Sequence, residues 1–407
     1  MLDVLIIGAG PAGLYAADQL SATGYSVTVV DRMPSPARKF LMAGRGGLNL
    51  THSEDLQTFV TRYRNAAPFL APLIECFPPD ALAAWCHELG QTTFVGSSGR
   101  VFPTSMKASP LLRALLRRLQ TNGVELLTRH RFAGLSSSGE ALVQSGDEDP
   151  HPFPARAMLL ALGGASWPKL GSTAEWVPIL KEHGVGIAPF QPANCGFHVS
   201  WSPYLKERFA GHPLKRVEFR MGETSRFGEA ILSEKGLEGG VVYALSADIR
   251  ETINTAGSAR LLLDLRPAMD ASVITEKLSR PRGKQSLSTF LKKCLKGTPF
   301  EMALLREAGP LPETPTGLAG LIKSVPITCT APYSIDRAIS SAGGITLTEL
   351  TPDLMLKKLP GVFAAGEMLD WEAPTGGYLL QACFATSHRA AEGIKRYLEQ
   401  KSCVTSS

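Results

Sequence analysis

Residues 1–32 read MLDVLIIGAGPAGLYAADQLSATGYSVTVVDR, and this stretch decides the fold. Its first apolar run, residues 4–7, is typical of a strand that is covered on both faces of a parallel sheet. A turn with the spacing G-x-G-x-x-G follows, with its glycines at Gly8, Gly10 and Gly13. The pattern then predicts a helix over residues 12–20 and a second strand over residues 27–30, which leads to Asp31. The stretch therefore predicts a β–α–β unit of a parallel sheet.

This unit is typical of a dinucleotide site. Glycines permit a tight turn, close approach of backbone N–H groups to a pyrophosphate, and close packing of helix on strand. The helix that begins near Pro11 and Ala12 places its positive end at the phosphates. Asp31 lies where a carboxylate can accept a hydrogen bond from a ribose hydroxyl, which argues against a 2′-phosphate there. The ordered pattern favours such a site over an ordinary glycine-rich loop, but leaves FAD and NAD both open.

Length and composition limit the other possibilities. A chain of 407 residues exceeds one simple core, so we expect two or three domains. The net charge of +5 permits acidic ligands without requiring nucleic acid. No apolar run reaches the roughly 18 residues of a membrane span, and the N-terminus lacks the pattern of a secretory signal.

The seven cysteines are scattered, without a C-x-x-C pair, which argues against a redox dithiol or a four-cysteine zinc site. We expect no metal site. An odd number of cysteines without a signal peptide predicts free thiols in a reducing cytoplasm.

The segment after Asp31 is predicted to be an ordered, glycine-rich loop at the carboxyl edge of the sheet. Its cations can neutralise a pyrophosphate, and its glycines can bring backbone donors close to a ligand. The cofactor-binding candidates here are Arg32, Arg38, Lys39, Arg45, Gly44, Gly46, Gly47 and Asn49. A solvated loop with no ligand is the alternative.

Two later segments have the same character. A predicted strand over residues 158–162 ends at Gly163 and Gly164, and a predicted strand over residues 362–365 ends at Gly366 and Glu367. A long helix is then predicted to begin after Gly376 and Gly377, at Tyr378. A helix N-terminus at this place suits the N1–C2=O edge of a flavin. Glu367 or Asp370 can accept hydrogen bonds from ribityl hydroxyls. The chain contains no second G-x-G-x-x-G, which argues against a separate NAD(P)-binding domain.

The sequence predicts three parts: residues 1–190, the first part of an FAD-binding domain; residues 191–330, an inserted substrate or cap region; and residues 331–407, the rest of the FAD-binding domain. Predicted helices in the first part cover residues 56–63 and 79–89 and start again at 109, with Arg113, Arg117 and Arg118 on a solvated face. In the insertion, strands are predicted over residues 217–221, 240–245 and 261–265, and helices over residues 271–278 and 286–295. A basic cluster at residues 280–296 is interpreted as a solvated helix face, with contact to RNA phosphates as the alternative.

Five motifs along the chain resemble one family. They are RKFLMAGRGGLNLTH (38–52), GRVFP (99–103), LALGGASWPKLGST (160–173), AGGITLTEL (342–350) and GVFAAGEMLDWEAPTGGYLLQACFATS (361–387). They resemble the HI0933-like family of FAD-binding, NAD(P)/FAD-dependent oxidoreductases, whose members are often labelled aminoacetone oxidases. Where much of that family has S-G-x-G-R-C-N-x-T-N, this chain has Gly47, Leu48 and His52 in place of Arg, Cys and the last Asn. The resemblance therefore implies FAD but no particular substrate.

The predicted fold class is α/β: a Rossmann-like FAD-binding domain of the two-dinucleotide-binding flavoprotein type, with an inserted β-rich and helical region. The resemblance implies an FAD-dependent oxidoreductase in which hydride passes at flavin N5, from NAD(P)H or from a small-molecule substrate. Reduction of an activated C=C bond and oxidation of an amine both stay open. The alternatives are a flavin-dependent tRNA-modifying enzyme and a non-enzymatic FAD-binding sensor. We expect no nucleic-acid or membrane partner, and the oligomeric state stays open.

Four residues are candidates for catalysis at the flavin face: Asn49, His52, Arg100 and Tyr378. The ordinary pKa of histidine suits proton transfer near neutral pH, although a histidine in a loop also serves as a hydrogen-bonding residue. Arg100 can pair with an anionic substrate or brace the loop.

Overall fold

The computed structural model describes residues 2–405, with all of their side chains except those of Arg45 and residues 403–405. The strands are β1 (Leu2–Ile7), β2 (Val27–Asp31), β3 (Thr51–His52), β4 (Thr93–Val95), β5 (Arg100–Pro103), β6 (Glu125–Thr128), β7 (His130–Leu135), β8 (Ala141–Ser145), β9 (His151–Phe153), β10 (Ala155–Leu160), β11 (Ile187–Ala193), β12 (Phe197–Val199), β13 (Pro213–Met221), β14 (Thr224–Ser233), β15 (Gly236–Glu238), β16 (Ala259–Asp264), β17 (Val325–Pro332), β18 (Ser340–Ile345) and β19 (Val362–Ala364). The helices are α1 (Pro11–Ser21), α2 (Arg38–Ala43), α3 (Leu56–Thr61), α4 (Ala67–Cys76), α5 (Pro79–Glu88), α6 (Ala108–Thr121), α7 (Trp176–Glu182), α8 (Pro203–Phe209), α9 (Gly240–Ala244), α10 (Ser246–Ala256), α11 (Ala271–Leu278), α12 (Leu287–Leu295), α13 (Pro299–Glu307), α14 (Pro315–Lys323) and α15 (Tyr378–Thr405).

The chain forms two compact units, and the first comprises Met1–Gln191 and Ser340–Ser407. Its centre is a five-stranded parallel sheet in the order β19-β10-β1-β2-β6. Val4, Leu5 and Ile6 in β1 have no exposed surface, as expected for a strand covered on both faces. Each such side chain contributes roughly 1.5–3 kcal/mol by leaving water, so this strand anchors the unit.

The first unit also contains a two-stranded sheet of β18 and β11 and two small antiparallel sheets of three strands each. One has the order β3-β5-β4 and the other the order β7-β8-β9. The sheet β3-β5-β4 includes the end of the glycine-rich segment, because β3 lies in that segment and its Thr51 pairs with Val101 of β5.

The second unit runs from Pro192 to Ile339. Six antiparallel strands close into a barrel in the order β12-β15-β14-β13-β16-β17, and closure leaves no unpaired sheet edge. Phe197, Phe219 and Leu261 are fully buried in its core. The insertion was predicted to end at residue 330, whereas the unit continues to residue 339, since β17 is the strand that closes the barrel between β16 and β12.

Three local predictions were wrong. The segment after Asp31 is not all loop, because it contains α2 and β3. Residues 240–245 do not form a strand: Gly239, with φ of 108°, turns the chain into α9, and the Tyr243 N–H donates to the Gly239 carbonyl at 2.9 Å. A further helix, α4, lies between the two helices predicted for residues 56–89.

The prediction of a solvated face was also wrong for Arg118, whose side chain is mostly buried in an ion pair. Its Nε donates to Asp18 at 2.7 Å, and the indole N–H of Trp85 donates to the same carboxylate at 2.9 Å. Asp18 lies in α1 and is only 3% exposed. A buried carboxylate must be paired, so this ion pair joins α6 to α1.

Candidate functional site

The carboxyl ends of three parallel strands lie side by side. Backbone hydrogen bonds join these ends. The Gly8 N–H donates to the Val30 carbonyl at 2.8 Å, the Ala161 N–H to the Ile7 carbonyl at 2.8 Å, and the Ala365 N–H to the Leu160 carbonyl at 3.0 Å. The glycines that follow β1, β10 and β19 therefore meet at one edge of the sheet, where open α/β folds bind ligands.

The three glycines of the first turn have different surroundings. A methyl group on Gly8 would lie 2.2 Å from the Ala161 carbonyl oxygen, and one on Gly13 would lie 1.9 Å from the Gly8 carbonyl oxygen. These two glycines are required by packing. Gly10 has no atom within 4 Å of the same position, and it has no side-chain cap to offer the free N–H groups of α1. Gly10 therefore leaves open space at the N-terminus of α1, a place where helices bind phosphates.

Asp31 lies beside this turn, at the end of β2. One carboxylate oxygen accepts the Ala9 N–H at 2.7 Å, and the other accepts the Met33 N–H at 2.8 Å. Burial raises the pKa of Asp31, while these two hydrogen bonds act in the opposite direction. Each oxygen keeps a second lone pair, so the carboxylate can still accept a ribose hydroxyl.

Two of the predicted phosphate-binding cations pair with carboxylates of the protein. Arg32 contacts Glu175 at 2.9 Å, and Lys39 contacts Glu367 at 2.6 Å. Both pairs brace the loop, so each of these cations already has a carboxylate of the protein beside it. The Arg45 side chain lies outside the described residues.

Arg38 is different, because it is half-buried and has no hydrogen-bond or ion-pair partner among the side chains that the structure describes. It begins α2 directly after Ala37, whose N–H donates to the Ala9 carbonyl at 2.8 Å. This bond ties the start of α2 to the first glycine turn. Arg38 is therefore the predicted cation best placed to neutralise a diphosphate.

The glycines after β10 and β19 are held tightly. A methyl group on Gly164 would lie 1.9 Å from the Ser341 hydroxyl oxygen, and Gly163 has φ of +70°. Gly366, with φ of +83°, faces the methyl group of Ala12 at 3.0 Å from the position of a Cβ. Gly366 thus packs close to the start of α1, and Gly164 packs against β18.

The two carboxylates predicted for ribityl hydroxyls differ in availability. Glu367 accepts from Lys39 with one oxygen, and its other oxygen accepts the Ser341 N–H at 3.0 Å. The Asp370 carboxylate has no hydrogen-bond partner within the described chain. Burial, followed by the charge of Glu372, raises the pKa of Asp370. Asp370 is therefore the better candidate to accept a ligand hydroxyl.

The glycine-rich loops of the two ends of the chain come together. Gly377, with φ of +100°, leaves no room for a side chain, because a Cβ there would lie 2.4 Å from the Thr51 backbone. The Tyr63 hydroxyl donates to the Tyr378 carbonyl at 2.8 Å. The start of α15 is thus fixed against β3. Gly46 faces open space, whereas Gly44 packs against Ala108.

Among the described residues of this unit, three buried side-chain oxygens have no hydrogen-bond partner: those of Asn49, Thr51 and Gln381. A buried acceptor without a donor costs about 1–3 kcal/mol, so such groups commonly face a ligand. Asn49 and Thr51 belong to the predicted cofactor loop. Gln381 lies in the first turn of α15, where its N–H donates to the Gly377 carbonyl at 3.1 Å. The flavin N3–H and the ribityl hydroxyls are donors of the kind these oxygens lack.

The hydroxyl of Tyr378 donates to Glu54 at 2.7 Å, and Arg62 donates to the same carboxylate at 3.0 and 2.6 Å. Although burial raises it, hydrogen bonds from Arg62 and Tyr378 bring the pKa of Glu54 below its ordinary value. Burial, together with the charge of Glu54, raises the pKa of Tyr378. The phenol is therefore held as a fixed hydrogen-bond donor and stays protonated at neutral pH.

Both ring nitrogens of His52 bond to backbone groups. Nδ1 accepts the Glu54 N–H at 3.1 Å, and Nε2 lies 2.9 Å from the Ser98 carbonyl oxygen. The ring also stacks on Tyr378, with ring centroids 5.5 Å apart. This arrangement favours a structural role for His52. Arg100 is exposed and has no side-chain partner in the described part of the chain.

The fit to FAD rests on these residues: an open glycine turn at a helix N-terminus, an unpaired arginine beside it, and buried acceptors without donors. Within residues 2–402, no group of three or more histidine, cysteine or acidic side chains could hold a metal ion. No helix in the described part of the chain has the length and apolar character that a membrane crossing requires. The fold and the site define an FAD-dependent oxidoreductase with a Rossmann-like cofactor domain.

Comparison with known proteins identifies the family. The chain belongs to the HI0933-like proteins, whose Rossmann domain matches residues 2–393. It is 26% identical over 403 residues to the 3-dehydro-bile acid delta(4,6)-reductase of Clostridium scindens, covering 95% of this chain and 97% of that protein. It is 22% identical over 405 residues to the ribosomal RNA dihydrouridine synthase of Haemophilus influenzae, covering 96% and 98%.

A solved structure supports the fold. The 3-ketosteroid-delta4-(5alpha)-dehydrogenase from Rhodococcus jostii RHA1, in complex with 4-androstene-3,17-dione, matches with a TM-score of 0.53 and 14% identity. The match covers 96% of each chain, so it includes both units.

The sequence did not reveal several residues of the site. Glu54, Arg62 and Ser341 bind or position predicted residues, yet none of them belongs to a quoted motif. Gln381 lies within the motif at residues 361–387, but its side chain was not predicted to take part in the site. Glu54 precedes Asp55, the N-cap of α3, and that signal predicts only a helix start.

Proposed function

We propose that this protein uses bound FAD to reduce a carbon–carbon double bond conjugated to a carbonyl group in a small organic substrate, with NAD(P)H as the electron donor. The open space at Gly10, beside the unpaired Arg38, carries the cofactor assignment. The reaction class is supported by the near full-length similarity to the Clostridium scindens reductase, whose name describes reduction at double bonds of a keto compound.

When bound, FAD supplies hydride transfer at N5, which is the redox chemistry that the protein itself lacks. The residues of this chain bind and orient it. The N–H groups at the start of α1 and the guanidinium of Arg38 would hold the diphosphate. Asp31 and Asp370 would accept hydroxyl groups, and the N-terminus of α15 would supply partial positive charge to the flavin.

Tyr378 has a positioning role in this proposal. Its hydroxyl is held by Glu54, its ring stacks on His52, and its carbonyl accepts from Tyr63. These contacts fix the first turn of α15 relative to β3. The turn therefore keeps one geometry, as preorganised electrostatic stabilisation requires.

RNA modification is not favoured as the alternative. The similarity to the ribosomal RNA enzyme is lower, at 22% identity. The cations at residues 280–296 are all exposed, and of these only Lys292 and Lys293 lie in α12, so the cluster is consistent with a solvated surface. Membership of an oxidoreductase family also gives no support to a non-enzymatic sensor.

The test begins with the visible spectrum of the purified protein. Flavin bands that bleach on anaerobic addition of NADH or NADPH, and return on addition of an enone but not of its saturated analogue, are the expected result. Bands that bleach but do not return with any enone would refute the reaction class. Absence of flavin bands after FAD is added back would refute the cofactor assignment.

A further inference from the structure

The small sheet β3-β5-β4 exposes one face next to the candidate cofactor loop. The register pairs His52 with Arg100 and Phe94 with Phe102. Since side chains alternate along a strand, Arg100 and Phe102 in β5 lie on the same face, together with their cross-strand partners. Val101, between them, is buried on the other face.

The outer part of this face is apolar. The rings of Phe94 and Phe102 stack, with centroids 5.8 Å apart and planes inclined by 29°. Met106 and Phe102 cover Gly47, whose Cβ position lies 2.7 Å from the Met106 methyl group and 3.5 Å from the Phe102 ring. Phe94 is 42% exposed and Met106 is 38% exposed. We call these three side chains, Phe94, Phe102 and Met106, the aromatic platform.

A cation lies beside the platform. Arg100 is exposed, and in the described part of the molecule it has no acidic or polar side-chain partner. Arg100 contributes to the loop through its backbone, since its carbonyl accepts the Gly96 N–H at 2.8 Å. The guanidinium does not brace the loop, so its five N–H donors are free to bind an oxyanion.

The same face continues to the candidate cofactor site. His52 neighbours Arg100 across the strands and stacks on Tyr378 at the start of α15. Gly47, beneath the platform, is two residues before Asn49, whose buried oxygen lacks a donor. A molecule that reaches the cofactor along this face would pass the platform and the cation in turn.

We propose that this face binds the substrate, and that the substrate is an unsaturated organic acid with a flat apolar body. The body lies on the aromatic platform, and its carboxylate pairs with Arg100. Large exposed apolar side chains that adjoin an unpaired cation match such an amphipathic anion in both shape and charge. This inference rests on the proposed function, because it names the substrate class of the same site.

The experiment measures binding to the FAD-loaded, full-length protein by titration calorimetry, with trans-4-phenylcinnamic acid and its primary amide as probes. The two probes share one apolar body and differ in charge. Arg100→Gln is expected to raise the Kd of the acid about tenfold, the loss of one charge-assisted hydrogen-bonded pair, and to leave the Kd of the amide within about twofold. Phe94→Ser is expected to raise both Kd values about fivefold by removing part of the platform.

Matched controls are Arg113→Gln, an exposed arginine on α6, and Phe227→Ser, a phenylalanine that is 66% exposed in the second unit. Both are expected to leave the two Kd values unchanged. Equal effects of Arg100→Gln on acid and amide would overturn the proposal. So would a dimer in sedimentation that Phe94→Ser dissociates without changing either Kd, since the face would then bind a second copy of the chain.

Failure of the proposed function gives a different result. If the spectrum shows no reduction of any enone while Arg100→Gln still weakens the acid alone, the reaction class is refuted and the binding surface is supported.

Discussion

Replacing Gly10 with alanine separates cofactor binding from folding. The position has φ of −82°, and a methyl group there would have no atom within 4 Å, so the FAD-free protein should accept it. The same methyl group would occupy the space in front of the free N–H groups of α1, where a diphosphate is expected. Gly10→Ala should therefore weaken FAD binding without weakening the fold.

The magnitude follows from the hydrogen bonds that the methyl group displaces. Two charge-assisted bonds from backbone N–H groups to phosphate oxygens are worth about 1.5 kcal/mol each at the low end, or about 3 kcal/mol together. At about 1.4 kcal/mol per tenfold, the Kd for FAD should rise roughly a hundredfold. The unfolding free energy of the FAD-free protein should change by less than about 0.5 kcal/mol.

The assay titrates FAD into flavin-free protein and follows the quenching of flavin fluorescence, with urea unfolding of the same preparations. Gly320→Ala is the matched control, since Gly320 also has nothing within 4 Å of its Cβ position and lies in α14. Gly13→Ala is the opposite case, because its methyl group would lie 1.9 Å from a carbonyl oxygen and should destabilise folding itself. An unchanged Kd for Gly10→Ala would refute the reasoning, as would a loss of stability equal to that of Gly13→Ala.

Three further changes test other contacts of the first unit. Arg38→Gln should raise the Kd for FAD about tenfold and leave stability unchanged, because Arg38 has no partner among the described side chains; a Kd no different from that of Arg113→Gln would contradict this. Asp18→Ala should lower the free energy of unfolding in urea by about 2–3 kcal/mol, because it leaves Arg118 without its carboxylate in a mostly buried site. A loss below about 0.5 kcal/mol would show that the ion pair does not stabilise the fold. Burial raises the pKa of Asp370, so the folded protein binds that proton more tightly than the unfolded chain and loses this stability as pH rises through the folded-state pKa. Asp370→Asn should therefore raise the Tm of FAD-free protein at pH 7. The Tm values of variant and wild type should converge below about pH 4, near the ordinary pKa of aspartate. A Tm difference that does not change with pH would exclude titration of Asp370 as the cause.

The first β–α–β unit could be predicted from sequence because its signals are local. Strand β1 needs consecutive apolar residues, and Gly8 and Gly13 are required by contacts within a few residues or with the neighbouring strand. The same holds for α11, where the predicted and observed ranges agree. The family was also evident from the motifs, and the family match confirms it.

Local patterns were misleading where tertiary contacts compete with them. The apolar run at residues 240–245 has the composition of a strand, yet the turn at Gly239 starts a helix there. The segment at Arg38 has the glycines and prolines of a loop, yet the bond between Ala37 and Ala9 lets a short helix form. In each case a single backbone geometry outweighs residue propensity.

The sequence by itself determined the parallel sheet, the glycine turn and the membership of a flavoprotein family, because these depend on periodicity and on spacing within short segments. Only the tertiary structure decided which polar side chains are free. Lys39 and Glu367 are separated by 328 positions, and Arg118 and Asp18 by 100, yet each pair is in contact. Arg38 and Arg100 resemble those paired residues in sequence but have no partner in the described chain. Availability for a ligand depends on what packing brings within hydrogen-bond reach, and no local pattern in the sequence records that distance.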